Sequence, residues 1–211
     1  LEKIASTISE HQHSDEKSAL FFIDLDKFKQ VNDSLGHHTG DELLKYVAES
    51  LIANVKARDI VARQSGDEFM ILIERFHHLD DLINLAQRIN QCLVKPIKIN
   101  GNQINISSSI GIAIFPDDAT SSTELIRKAD LAMIHAKQAG RSQFQFFTSE
   151  MNAKAHRRLE LERALIQAFN NKEFVNYYQP IVDCVEQKII GFEMLMRWPH
   201  PNGMISPMEF I

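Results

Sequence analysis

Apolar positions along the chain fall into short blocks whose spacing switches between helix-like and strand-like. Leu1, Ile4, Ala5 and Ile8 recur at a helical interval through the first dozen residues. "SALFFIDLD" follows; its run from Ala19 to Ile23 is unbroken apolar and too short for a helix, so it reads as a buried strand. In "KFKQVNDSLGHHTGDELLKYVAESLIANVK" the pattern predicts a short helix that Gly36 can stop. A capping box from Thr39 to Glu42 then opens a longer helix with Leu43, Leu44, Val47, Leu51 and Val55 on one face. "IVARQSGDEFMILIE", Ile60 to Glu74, places two apolar runs around Ser65-Gly66-Asp67-Glu68 and predicts a hairpin. A helix is predicted around Leu79 to Leu93. In "PIKINGNQINISSSIGIAIF" two strands are predicted about an Asn100-Gly101 turn, the second carrying Ile104, Ile106, Ile110, Ile112 and Ile114. "SSTELIRKADLAMIHAKQAG" is an amphipathic helix stopped at Gly140, and "QFQFF" a closing strand.

Strands and helices therefore mix, hairpins included, which predicts an α/β sandwich rather than a doubly wound parallel sheet. Neither an internal repeat nor a low-complexity segment interrupts the chain. The expected organisation is a first domain over residues 1–148, a charged linker helix over 149–173, and the start of a second domain over 174–211. In that last part "FVNYYQPIVD" and "KIIGFEMLMRW" read as two buried strands.

A length of 211 residues suffices for one sizeable core, or one domain plus part of a second. With 44% hydrophobic and 24% charged residues the composition is that of an ordinary globular protein. The net charge of −5, with no basic block, argues against a nucleic-acid polymer as partner. Cys92 and Cys184 fit no metal spacing and read as free thiols in a reducing compartment. Nine histidines, including His37-His38 and His77-His78, also fit no metal spacing and read as surface or cap residues. No apolar run approaches the roughly 20 residues that span a bilayer, and no signal peptide is visible. The chain opens inside a helical pattern without a cap, as expected of a segment of something longer.

The candidate chemistry is acidic. Asp24 and Asp26 end the first apolar strand, and Asp67 and Glu68 sit at the hairpin tip. If those strands are neighbours, the carboxylates converge at one end of a sheet. A hard divalent ion needs only one or two carboxylates plus substrate phosphates. Acidic residues equally end strands and make turns with no chemistry attached, and spacing does not separate the two readings. Lys137 and Arg141, four apart on one predicted helix face, can neutralise phosphates or simply complement the helix dipole. Asn32, Asp33 and Asp41 can read a base edge or act as caps and turn formers.

Four segments in order, "DLDKFKQVNDSLGHHTGDELL", "ARQSGDEF", "SIGIAIFP" and "ADLAMIHAKQAGR", resemble the successive signatures of the GGDEF, or diguanylate cyclase, family over about Ala19 to Phe147. "YYQPIVD…GFEMLMRWPHPNGMISPMEFI" is similar to the opening of an EAL domain, the cyclic-di-GMP phosphodiesterase partner of that family. The resemblance implies a central sheet like that of nucleotidyl cyclases and polymerase palms, flanked by helices. Behind it would come the first strands of an incomplete TIM-like barrel, of which a whole one needs roughly 250 residues. It implies condensation of two GTP to cyclic di-GMP with Mg2+ or Mn2+ in a homodimer. It further implies a cytoplasmic domain, alone or beneath a membrane-anchored sensor, joined in the parent protein to an upstream sensor and a complete EAL domain. Carried over, Asp24, Asp67 and Glu68, with the Leu25 carbonyl, would be metal ligands. Asn32 and Asp41 would recognise guanine, Lys137 and Arg141 would hold phosphates, and Phe28, Lys29 and Gly66 would line the site, with Asp67, Glu68 and Lys29 serving catalysis. In the EAL part Glu193 would bind metal, and Gln179 and Arg197 would contact the dinucleotide.

Departures from the family pattern carry their own expectations. Its first motif glycine is Ser65 here, and a serine forced to φ > 0 would cost of order 1 kcal/mol. This raises a second reading, a regulatory module that binds GTP without turnover and controls an attached EAL domain. The product-inhibition motif Arg-x-x-Asp reads Lys56-Ala57-Arg58-Asp59, which keeps the charge but loses the bidentate fork. Ile134 replaces the usual tyrosine, an expected packing change.

Overall fold

The computed structural model describes residues 2–11, 16–200 and 203–207, so Leu1 of the first helical pattern and the closing 208–211 of the EAL-like segment lie outside the described residues. The elements in chain order are α1 (Glu2–His11), β1 (Lys17–Asp26), α2 (Phe28–Leu35), α3 (His37–Asn54), β2 (Ile60–Ser65), β3 (Glu68–Phe76), α4 (Leu79–Val94), β4 (Ile97–Ile99), β5 (Asn102–Ile104), β6 (Ser107–Phe115), α5 (Ser122–Gln138), β7 (Phe144–Phe146), α6 (Ser149–Asn170), β8 (Val175–Asp183), β9 (Lys188–His200) and β10 (Gly203–Ile205). They divide into two compact units, residues 1–152 and 153–211.

The first unit is built on a five-stranded sheet in the order β2-β3-β1-β6-β7, antiparallel except for β6 with β7. Its central strand β1 explains the unbroken apolar run. Alternate side chains of a strand face opposite sides, and both sides of this sheet are covered. Ala19, Phe21, Ile23 and Leu25 join one core with Leu43, Val47, Leu82 and Ile89 of α3 and α4. Leu20 and Phe22 join the other with Ile4 and Ile8 of α1 and Leu125, Ala129 and Met133 of α5. This is a mixed α/β fold with helices on both faces of one sheet, as the pattern predicts.

Two local expectations are corrected. Thr39 does not cap a helix: it is buried inside α3, which begins at His37. Gly36, at φ 83°, serves both neighbours instead; its N–H ends α2 on the Asn32 carbonyl, and its own carbonyl accepts from the Gly40 N–H. Glu42, freed from a capping role, pairs with Lys45 at 2.7 Å. The single strand predicted from Ile104 to Ile114 is two strands. β5 pairs only with β4 around Asn100-Gly101, while β6 runs beside β1. The break lets Ile97, Ile104 and Ile106 turn into the same core as Ile110.

The second unit holds the antiparallel sheet β10-β9-β8. Trp198 is fully buried there against Leu161, Ala168, Phe174 and Ile205. The strands predicted as buried are otherwise exposed, with Tyr177, Tyr178, Ile189, Phe192 and Met194 open to solvent. Their apolar composition reflects a capacity for packing that no described element uses.

Candidate active site

The acidic residues sit where β1, β3 and α5 meet. Asp24 and Glu68 are direct partners in the β1–β3 ladder, and Asp24 lies opposite Ser109 of β6 on its other side. The hairpin is tied to the end of β1 by the Leu25 N–H, which donates to the Asp67 carbonyl at 3.3 Å. Asp24 is buried, and Lys137 of α5 donates to its Oδ2 at 2.7 Å. Burial raises the Asp24 pKa, the Lys137 hydrogen bond and charge oppose that, and Asp67 and Asp26 push it further up. Asp130, one face of α5 with Lys137, is likewise raised, by burial and then by the charge of Glu68. The sequence reading did not single out Asp130 for this cluster; its only signal was its place two turns before Lys137.

The hairpin tip answers the question of the serine. Ser65 ends β2 and is not among the residues at positive φ; Gly66 takes that conformation, at φ 47°. No backbone strain falls on the serine. Its hydroxyl donates to Glu68 Oε2 at 2.7 Å, and Arg63 Nε donates to the Gly66 carbonyl at 2.8 Å.

A second group forms where α2 meets α3. A Cβ on Gly40 would lie 1.9 Å from Asn32 Oδ1 and 3.3 Å from Phe28 Cζ, so only glycine lets these helices approach with Asn32 between them. Asn32 Oδ1 is buried and has no hydrogen-bond partner among the described residues, the state of an acceptor waiting for a donor. Asp41, the next residue after Gly40, is exposed and lines an open cavity of about 420 Å3 with Leu44, Val61, Arg63 and Phe69. Phe28 is buried, whereas Lys29 is exposed on the first turn of α2. Gly40 is thus a site-shaping residue that the sequence reading missed.

The structure separates what the spacing put on one helix face. Lys137 lies in α5, but α5 ends at Gln138 and Arg141 lies beyond it at φ 63°, its N–H wrapping back to the Ala136 carbonyl at 3.1 Å. Gly140, at φ 122°, turns the chain out of the helix. Ile134 is 40% exposed, so its replacement of a tyrosine repacks no core. Lys56 and Asp59 close a turn on themselves, the Lys56 N–H donating to Asp59 Oδ2 at 2.9 Å. They line a separate cavity of about 160 Å3 with Arg75 and Arg88. In the second unit Gln179 and Glu193 are register partners, and Arg197, four residues on, stands over the Tyr177 ring at 5.8 Å. All three share one face of β8–β9.

Among the described residues, no three Asp, Glu, His or Cys side chains converge as a ready metal cage. Asp24 and Glu68 side by side, with Asp67 beside them, still suit a hard divalent ion that takes few protein carboxylates and completes its shell with water and phosphate oxygens. Burial is the main cause of the raised Asp24 pKa, with the Asp67 and Asp26 charges adding to it against the Lys137 pairing.

The family model described as "Diguanylate cyclase, GGDEF domain" matches residues 1–143. The chain belongs to the GGDEF family. An EAL domain model matches residues 162–211, so the GGDEF domain is followed by a partial EAL domain. Over all 211 residues the chain is 43% identical to the bifunctional diguanylate cyclase/cyclic di-GMP phosphodiesterase MucR of Pseudomonas aeruginosa, of which it spans 31%. It is 37% identical over 194 residues to the cyclic di-GMP phosphodiesterase NbdA of the same organism, covering 92% of this chain and 25% of NbdA. The chain thus spans less than a third of the length of these relatives. The crystal structure of the GGDEF domain of YfiN from P. aeruginosa superposes with a TM-score of 0.68 at 32% identity, covering 70% of this chain and 92% of that one. No described helix of this GGDEF–EAL chain is long and apolar enough to cross a membrane.

Proposed function

We propose that the GGDEF domain condenses two GTP to cyclic di-GMP, releasing two pyrophosphates, as a homodimer in which each protomer holds one GTP. The observation that carries this reading is the ladder pairing of Asp24 with Glu68 beneath Lys137, an acidic pair with a cation above it at one sheet end. Asn32 and Asp41 meet the guanine edge: the unpartnered Asn32 oxygen accepts from the base, and Asp41 lines the neighbouring cavity. Lys137 and Arg141 hold the β- and γ-phosphates, the first leaving Asp24 to do so. Asp24, Asp67 and Glu68, with the Leu25 carbonyl, would hold Mg2+ or Mn2+. Bound there, the ion supplies charge neutralisation and polarisation at the α-phosphate. The 3′-oxygen of the partner's GTP forms its bond to the α-phosphorus as the α–β bridging bond breaks, and Glu68 accepts the hydroxyl proton. Phe28 and Gly66 shape the floor, and Lys29 adds positive charge at the mouth. Holding two reactants face to face supplies much of the acceleration. The parent protein would carry an upstream sensor and a complete EAL domain, and the Gln179, Glu193 and Arg197 face would belong to the latter's dinucleotide site.

A second reading has its own observation. The Ser65 hydroxyl engages Glu68, which favours a module that binds GTP without turnover and regulates the EAL domain. Incubation with GTP and Mg2+, with cyclic di-GMP followed by chromatography, separates the two. The cyclase reading expects product, at a rate per protomer that rises with protein concentration. GTP binding with no product at high protein concentration selects the regulatory module, and no GTP binding at all sinks both.

A further inference from the structure

Asp26 ends β1 two residues beyond Asp24, is buried, and has no part in the proposed chemistry. Its carboxylate accepts from Ser107 Oγ at 2.6 Å, Ser109 Oγ at 2.8 Å and the Ser142 backbone N–H at 3.1 Å. The two hydroxyls belong to β6, which the backbone ladder already joins to β1 at this point, Asp26 opposite Ser107. The third bond reaches the turn between α5 and β7, at Ser142, just before the Gln143 carbonyl accepts from the Ile110 N–H of β6 at 3.0 Å. Arg141 and Ser142 are consecutive non-glycine residues at φ 63° and 51°. Backbone of this kind persists only where surrounding contacts over-determine it. The contacts recorded on the two backbone N–H groups are Ala136 O with Arg141 and the Asp26 carboxylate with Ser142. A buried carboxylate is costly unless its hydrogen bonds compensate, and among the described residues no cation is paired with this one. Its charge therefore does more than fasten two strands that are already paired.

We propose that Asp26 is a positioning residue that holds the left-handed Arg141–Ser142 turn and so aims the Arg141 guanidinium at the nucleotide's terminal phosphates. This rests on the GTP reading of the site. Arg141 contributes to binding of GTP and not of GMP, which lacks the terminal phosphates. Calorimetric titration of the 211-residue chain with GTP and with GMP, in Mg2+, reads that difference directly. D26N lowers GTP affinity about tenfold, the weight of a charge-assisted contact, and leaves GMP affinity unchanged. R141A does the same, and the double variant is no worse than R141A alone. S109A, which keeps the carboxylate on Ser142, preserves the GTP-to-GMP ratio. Should D26N fail to fold, D26E, which keeps the charge but displaces it by one methylene, supplies the same comparison. Equal losses for GTP and GMP, additive losses in the double variant, or a lowered ratio in S109A would overturn the inference. Failure of the wild-type chain to bind GTP would overturn the site reading itself, and this inference with it.

Discussion

Ser65 shows how one residue's meaning depends on which backbone position bears the strain. In the hairpin the left-handed conformation falls on Gly66, so the serine costs nothing in φ and acts through its hydroxyl on Glu68. That bond is exposed and worth about 1 kcal/mol or less. S65G is therefore expected to change unfolding free energy by about 1 kcal/mol or less and to raise cyclic-di-GMP formation by less than about tenfold. A gain of several orders of magnitude in the same assay would mean that the serine blocks the site. Asp24 carries the opposite lesson, a residue placed at a cost to stability. Burial, Asp67 and Asp26 hold its folded pKa above the ordinary 3.8. A carboxyl with a raised folded pKa binds its proton more tightly folded than unfolded, so its ionisation at neutral pH opposes folding. That opposition fades as the pH falls through the raised value and is gone below 3.8. D24N should accordingly be more stable than wild type at pH 7 in urea titrations, with the advantage vanishing toward pH 3.8. A destabilised D24N at pH 7 would show that the Lys137 ion pair outweighs desolvation.

At the scale of the element, α5 is placed by an absence of side chain beneath it. A Cβ on Gly111 of β6 would lie 2.0 Å from the Ala129 carbonyl oxygen, 2.2 Å from the Met133 nitrogen and 2.8 Å from the Ala132 carbonyl carbon. All three are backbone atoms, which no rotamer change can move aside. G111A must lift the helix, and urea denaturation should record a loss of about 3 kcal/mol, the upper end for overpacking. Because α5 carries both Lys137 and Asp130, the same lift should also weaken GTP binding in calorimetry. The α2–α3 corner works the same way, with Gly40 admitting Asn32 and Gly36 serving both helix ends.

For the whole molecule, the described residues of the two apolar cores that sandwich the sheet all lie at or before Phe147. A chain ending at residue 152 should therefore unfold cooperatively with its midpoint within about 3 °C of that of the 211-residue chain, the shift roughly 1 kcal/mol would produce in a domain of this size. Circular dichroism melts test this. The second unit differs in kind, since Phe192 is 61% exposed and Met194 and Tyr178 on the same face are also open. The full chain should bind an apolar dye that the shorter one does not, because exposed patches of this sort are sticky.

The order of strands and helices, save the division of β5 from β6, the burial of β1 and the family could all be read along the chain, because period-2 and period-3.6 patterns are local and "SGDEF" with its companions is contiguous. The acidic residues were legible as candidates for the same reason. Their convergence was not: Asp24 meets Glu68 only because β1 and β3 are neighbours in register, a pairing between segments some forty residues apart. Thr39 read as a cap because its local pattern fits one, yet the backbone bonds of Gly36 had already started the helix. Lys137 and Arg141 shared a face on a helical wheel until Gly140 ended the helix between them. Asp130, Gly40 and Gly111 gained their significance only in three dimensions, and Asp26, already a candidate, gained its particular partners there, since each acts through an atom brought to it from a distant element.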